Sequence, residues 1–493
     1  MNAIVAIARA DLQERTRTFG ILIVIAGLLQ LGYLFVPDRS AMYSTVDLGG
    51  WRGIYDSAWM GTSTALLTVA FLPLFGFFLV RPAQSRDVLL GTYDLVASAA
   101  LPRVLVVLGK FASNVALLAA FSLLLQIAAV AMQFVRGEDR TLDLLAYTLP
   151  FAIVTIPACI ITASAAVLLD SIPALRGFIG GIAWFFLWTT ALVAPLAAAH
   201  EQTAAIDPLG VTLLTAALFH GLTAALPHVH IGNNLSLGVG DATKHVFRFP
   251  VVVWTSPTIA VRIGWSALAV LLVAAASPYA LATAVNQKRS RFIELPTRLA
   301  RLLPLPPLVR IELAAALGAA GPLWLVGMLG LTIAAMAVPA DALARAIAPL
   351  VWVWPIGPMA AASVVDTRAR CEDVLRATPA PTLQRAVART SVCFLLAAVP
   401  VVALALRDGV AGSALLAIAL ATAAVAVVFG TILRSPLTFE AAALLVWYLG
   451  AVNHLPALDP ASTLARPTIV IAICGIVCGL AILATSSRMG RRT

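Results

Sequence analysis

The chain has 493 residues, of which 61% are hydrophobic and only 11% charged, and its mean hydropathy is +0.96. Soluble domains carry roughly a quarter charged residues, so a water-soluble fold of this size could not cover its surface. A soluble enzyme or nucleic-acid binder is thereby excluded, and the net charge of +10 becomes a question of which membrane face carries it.

The N-terminal segment holds Arg9, Asp11, Glu14, Arg15 and Arg17 with no small-residue cleavage site close behind, so it reads as a retained segment and not a signal peptide. Apolar runs long enough for a ~30 Å hydrocarbon core follow near 19–36, 60–80, 104–134, 148–169, 177–199 and 259–284. A basic, proline-rich stretch from Gln287 to Arg310 interrupts them. Further runs lie near 320–338, 347–365, 390–407, 412–433, 436–454 and 467–486. The predicted fold class is an all-α polytopic membrane protein of about twelve helices. Its first six-helix half covers 1–286, a cytoplasmic linker with the start of a second amphipathic lead-in helix 287–310, and the second half 311–493. An even number of spans puts both termini on one side, and most lysines and arginines fall on that side, which places it in the cytoplasm. Leu209 to Leu226 is apolar enough for a further span. A full crossing there would move Lys288, Arg289 and Arg291 outside, so the outer segment of about 200–257 is read as carrying a re-entrant helix.

Polar residues inside such a chain are the informative ones. Asn114 and Gln126 lie twelve apart in the third span, on one helical face. They either line a substrate path or hydrogen-bond between helices. Glu440, four residues past Pro436, is either a functional acid or a partner of Arg434. His228-x-His230 has no neighbouring Cys or acidic cluster, so no metal site is expected, and the five cysteines show no disulfide or zinc spacing. Trp51, Trp59, Trp254 and Trp265 near span ends suit the interfacial aromatic belt.

The two halves match where they are most polar. After the second span comes Arg86-Asp87, then Gly91-Thr92, Asp94, Pro102-Arg103 and Gly109-Lys110. After the eighth comes Arg370, Glu372-Asp373, Arg376, Pro381 and Arg389. Asp94 and Asp373 stand at the same distances from the proline and the base that follow. Arg9-Ala10-Asp11 has a counterpart in Arg310-Ile311-Glu312, each leading into the first span of its half. The order predicts two parallel repeats of six spans.

This layout, and the segment 86–110 in particular, resembles the permease subunits of type-2 ATP-binding-cassette exporters. The resemblance implies an amphipathic elbow helix before each half and a coupling helix in the loop after its second span. The coupling residues would be Arg86, Asp87, Gly91, Asp94, Pro102 and Arg103 in one loop, and Arg370, Glu372, Asp373, Arg376 and Pro381 in the other. In the second loop Gly-Thr is absent and Gly-Lys has become Ala388-Arg389. No phosphate-binding loop occurs, because Gly109-Lys110 lacks the upstream glycine and precedes Phe111. The chain is therefore expected to be no enzyme and to hold no cofactor. ATP and Mg would sit on a partner ATPase, present as a homodimer, in a bacterial cytoplasmic membrane. Lipids are expected partners and nucleic acid is not. The expected cargo is apolar or amphipathic, moved by alternating access. An ion-coupled carrier would want a buried relay of charges, and a lipid-modifying enzyme a convergent cluster of acids or histidines at one interface.

Overall fold

The computed structural model describes residues 2–450 except 18, 39–42, 82–100, 173–174, 176–177, 198–206, 229–234, 242–244, 286–290, 321, 340–342, 344–346, 367–381, 409–411, 434–435 and 448–449. The chain divides into two compact units, Met1–Asn286 and Gln287–Thr493. Both are mostly helical.

In the first unit, α1 (Asn2–Thr16) precedes α2 (Phe19–Phe35). Then come α3 (Ser57–Val80), α4 (Arg103–Arg136), α5 (Leu144–Ser171), α6 (Phe178–Ala197), α7 (Val211–Ala225) and α8 (Ser256–Val285). Helix α3 is the axle of the unit. Asp56 caps its first turn by accepting from the Trp59 amide at 2.9 Å. Of the apolar window that makes it a candidate span, 83% is buried, under α4, α5, α6 and α7. Gly61 permits the approach of α5, since a Cβ there would lie 2.4 Å from the Ala146 carbonyl oxygen. Two indoles of α6 donate to carbonyls of α3, Trp188 to Ala70 at 2.8 Å and Trp184 to Pro73 at 3.1 Å.

Helix α8 is the opposite case, with only 17% of its window buried. Ile263, Leu271 and Tyr279 stand exposed along it, as do Leu123, Ile127 and Phe134 on α4. Exposed apolar rows of this length are stable against acyl chains and not against water. At 34 residues α4 is about 50 Å long, more than a hydrocarbon core requires.

Beside the helices, the described residues of the first unit hold four short strands in its loops: β1 (Tyr43–Leu48), β2 (Trp51–Gly53), β3 (Leu235–Asp241) and β4 (His245–Phe247). β1 pairs antiparallel with β3, Val46 opposite Leu237, and β2 pairs parallel with β4, Trp51 opposite His245. Gly49 and Gly50, both at positive φ, turn the chain between β1 and β2. These pairings join segments nearly 200 residues apart, so no local pattern announces them.

The second unit opens with α9 (Arg291–Leu302) and α10 (Pro307–Ala320), followed by α11 (Pro322–Ala337). The run expected over 347–365 is two helices, α12 (Ala348–Val353) and α13 (Ile356–Ser363), separated at Trp354-Pro355. Next are α14 (Thr382–Asp408), α15 (Gly412–Leu433) and α16 (Pro436–Trp447). The indoles of Trp324 and Trp354 each donate to the other's carbonyl, at 2.8 and 3.0 Å, clasping α11 to the break between α12 and α13. The run expected over 467–486 lies outside the described residues.

Among the described residues five helices are long and apolar enough to cross a membrane: 57–80, 103–136, 144–171, 256–279 and 384–407. Shorter apolar helices include 24–35, 180–192, 211–225, 324–337 and 415–431. The protein is therefore mostly helical and has the helices of a membrane protein.

Candidate functional site

The loops that carry the predicted coupling residues are entered and left through buried charges. Arg86, Asp87, Gly91 and Asp94 fall in 82–100, and Arg370, Glu372, Asp373, Arg376 and Pro381 in 367–381, all outside the described residues. The geometry of both loop bases is described.

At the entry to the first loop, Arg81 follows α3 directly and is buried. Its Nε donates to Asp170 at the end of α5 at 2.7 Å, its Nη2 donates to the Leu175 carbonyl at 2.7 Å, and its guanidinium lies over the Phe77 ring. At the exit, Pro102 caps α4 and the exposed Arg103 begins it. One to three turns on, α4 is held by α1. Ser113 Oγ donates to Asp11 at 2.6 Å, and Arg15 bridges Asp11 and the Asn114 amide oxygen, each at 2.8 Å. Gly109 makes this fit possible, because a Cβ there would lie 2.8 Å from Ile7. Lys110 beside it is buried.

In the second unit one residue serves both purposes. Arg389, buried in α14, reaches Glu312 of α10 at 2.9 Å and Asp366 at 2.8 Å. Asp366 immediately precedes 367–381 and α14 follows it, so a single guanidinium ties the two ends of that loop together and to the helix that opens the unit. Such ion pairs lose hydration on burial, so they contribute little net stability, while deleting one partner leaves an uncompensated charge. Their effect is geometric: each pairing sets which side chains face one another at its loop base.

The opposite end of the same helices is pinned as well. Arg136 closes α4 and donates to the Tyr33 and Val36 carbonyls at the end of α2. Arg407 closes α14 and donates to the Ala335 and Val338 carbonyls at the end of α11.

Of the remaining sequence-predicted residues, Asn114 belongs to the first of these bases, while Gln126 and Glu440 sit apart from both. Asn114 is buried and engaged by Arg15, Gln126 is half-buried farther along α4, and Glu440 is buried in the first turns of α16. Arg434 lies outside the described residues, as does His230. No group of three or more His, Cys, Asp or Glu is placed to hold a metal among the described residues.

Two polar sites were not legible in the sequence. Arg262 on α8 is buried, donating to the Asp207 and Pro208 carbonyls at 2.9 Å and toward Val154 in a π-helical turn of α5 at 3.5 Å. Asp207 in turn caps α7, accepting from Gly210, Val211 and Thr212 amides at 2.7, 3.1 and 2.6 Å. This clasp fixes where the apolar segment 211–225 begins. The second site is the strand-bearing cap. Arg52 and Glu138 form a two-pronged ion pair at 2.9 and 3.0 Å, and Gln133 joins Ser57 to the Asp139 and Thr141 carbonyls. Burial raises the Asp56 carboxyl above the ordinary carboxylate range, while hydrogen bonds from Thr141 lower Asp139. The only sequence signal for any of this was the presence of charge beside apolar runs.

Comparison with known proteins adds no neighbour: no protein-family profile matches the chain, no curated protein does, and no solved structure does.

Proposed function

We propose that the chain is the permease of an ATP-driven exporter, built of two parallel repeats that move an apolar or amphipathic substrate while a separate ATPase supplies the energy. The observation that carries this reading is the twin anchoring of α4 and α14. In each unit the acid of the opening helix, Asp11 or Glu312, bonds to the third-span helix near its start. In each the arginine that closes that helix donates to carbonyls at the end of the first-span helix. The neighbours correspond too: α1, α2, α3 and α5 surround α4 as α10, α11, α13 and α15 surround α14. Two sequences with so little else in common repeat an arrangement of buried charge most readily by duplication.

In this reading the segments 82–100 and 367–381 are the coupling loops. ATP-driven closure of an ATPase homodimer pushes on them, and the loop bases pass that push to α4 and α14. The membrane units then exchange inward- and outward-facing states according to their differential affinity for the nucleotide-bound partner. ATP and Mg belong to the partner. The setting is a bacterial cytoplasmic membrane, with about twelve spans and both termini inside.

Co-purification tests the proposal. The chain, purified from the cells that make it, is expected to bring an ATPase subunit down, and Asp94→Arg with Pro102→Ala to abolish both association and export. A chain that never retains an ATPase, or export untouched by the double substitution, overturns the reading. Export that collapses with a protonophore while ATP is held constant would favour an ion-coupled carrier.

A further inference from the structure

Helix α9 divides its residues into two arcs. At helical spacing Arg291, Glu294, Thr297, Arg298 and Arg301 fall on one side, and Phe292, Leu295, Leu299 and Leu302 on the other. The helix packs within the unit through a face other than the leucine arc. Ala300 is buried and Thr297 lies against α10, where a Cβ at Gly318 would meet it at 2.9 Å. Leu299, Leu302 and Leu303 remain open, Leu302 at 80% exposure. The charge of this stretch of sequence is unbalanced. Lys288, Arg289, Arg291, Arg298 and Arg301 stand within fourteen positions of chain against the one acid, Glu294.

We infer that α9 lies in the plane of the bilayer surface and binds anionic phospholipid, its leucines among the acyl chains and its arginines at the headgroup phosphates. Two observations select lipid over a protein partner. The charge is complementary to an anionic headgroup layer. α9 also packs against α11, whose Val326, Leu329, Ile333 and Met336 form an exposed apolar row, so the helix sits beside one whose outer face suits acyl chains. A helix of this kind reports the anionic lipid content of its membrane to the second unit. The inference holds whether or not the chain is an exporter.

The test uses the full chain with its five cysteines replaced by alanine, Leu302→Cys carrying a polarity-sensitive fluorophore, and reconstitution into vesicles of phosphatidylcholine or of phosphatidylcholine and phosphatidylglycerol in equal parts. Cooperative thermal unfolding equal to that of the unlabelled parent establishes that the labelled chain is folded. Blue-shifted emission, quenched by spin-labelled lipid, is expected in the anionic vesicles. Each of Arg298→Gln and Arg301→Gln should lower the preference for the anionic membrane about fivefold, and high salt should reduce it likewise. Emission that stays water-like in both vesicles overturns the inference, as does equal burial in both with no effect of the arginine variants. A shift that appears only when a soluble protein partner is added would also overturn it.

Discussion

Arginine is the residue on which the interior of this protein turns. Arg15, Arg81, Arg262 and Arg389 are all buried, and each donates to oxygens from more than one segment. The planar guanidinium suits this work because it presents five donors in fixed directions, whereas an ammonium on a flexible stem does not. Arg389→Gln leaves Glu312 and Asp366 facing the cavity it vacates, so a loss of about 3–5 kcal/mol is expected. Thermal unfolding in detergent would read it, with Arg389→Lys falling between variant and parent. If Arg389→Gln melts with the parent, the triad is ornamental. Asp56 gives a prediction of opposite sign. Its folded-state pKa is raised by burial, so protonation is favoured in the fold and its contribution to stability falls as pH rises through that value. Asp56→Asn keeps an oxygen for the Trp59 amide and removes the buried charge. It should stabilise the fold at neutral pH by no more than about 1 kcal/mol, an advantage that disappears on acidification below the folded-state pKa. Asp139 titrates the other way: its pKa is lowered, so what it contributes is present at neutral pH and lost as pH falls through the folded value.

Among the elements, α7 shows how an apolar helix is given a fixed start. Gly210 adopts φ +85°, and a Cβ there would fall 2.3 Å from Val154 and within 3.1 Å of Arg262. Gly210→Ala is therefore strained by backbone and by contact together. A cost of about 1–3 kcal/mol is expected, seen as faster amide exchange across 211–225 with little change in α3. Uniform exchange in both helices would show that the clasp does not define a local unit. The anchors of α4 and α14 make a paired prediction. Arg136→Gln and Arg407→Gln should each loosen the end of the first-span helix in their own unit, α2 or α11, and by similar amounts. A large asymmetry would count against equivalence of the two units.

For the whole molecule, the proposed twelve spans fix which side each loop occupies. Arg140, exposed in the loop after α4, should as a cysteine react with a membrane-impermeant maleimide in intact cells, and Arg17→Cys only after the membrane is opened. Labelling of both from outside would refute the three crossings proposed between them. Much of this architecture was legible from one dimension, because a helix needs only apolar length and a bilayer imposes that length on each crossing. The starts and ends of α2, α3, α4, α5 and α8 follow from composition to within a few residues. The prelude Arg9-Ala10-Asp11 and its counterpart Arg310-Ile311-Glu312 were visible too, but not what their acids touch. Asp11 meets Ser113 across about a hundred residues, and Glu312 meets Arg389 across 77. The pairings of β1 with β3 and β2 with β4 are of the same kind, since ladder bonds between distant segments leave no periodic trace in either. The sequence by itself determined that this is a chain of apolar helices with sparse, unevenly placed charge. Only the tertiary structure decided where those charges go, because a buried ion finds its partner by proximity in space, and burial enforces a pairing that spacing along the chain does not encode.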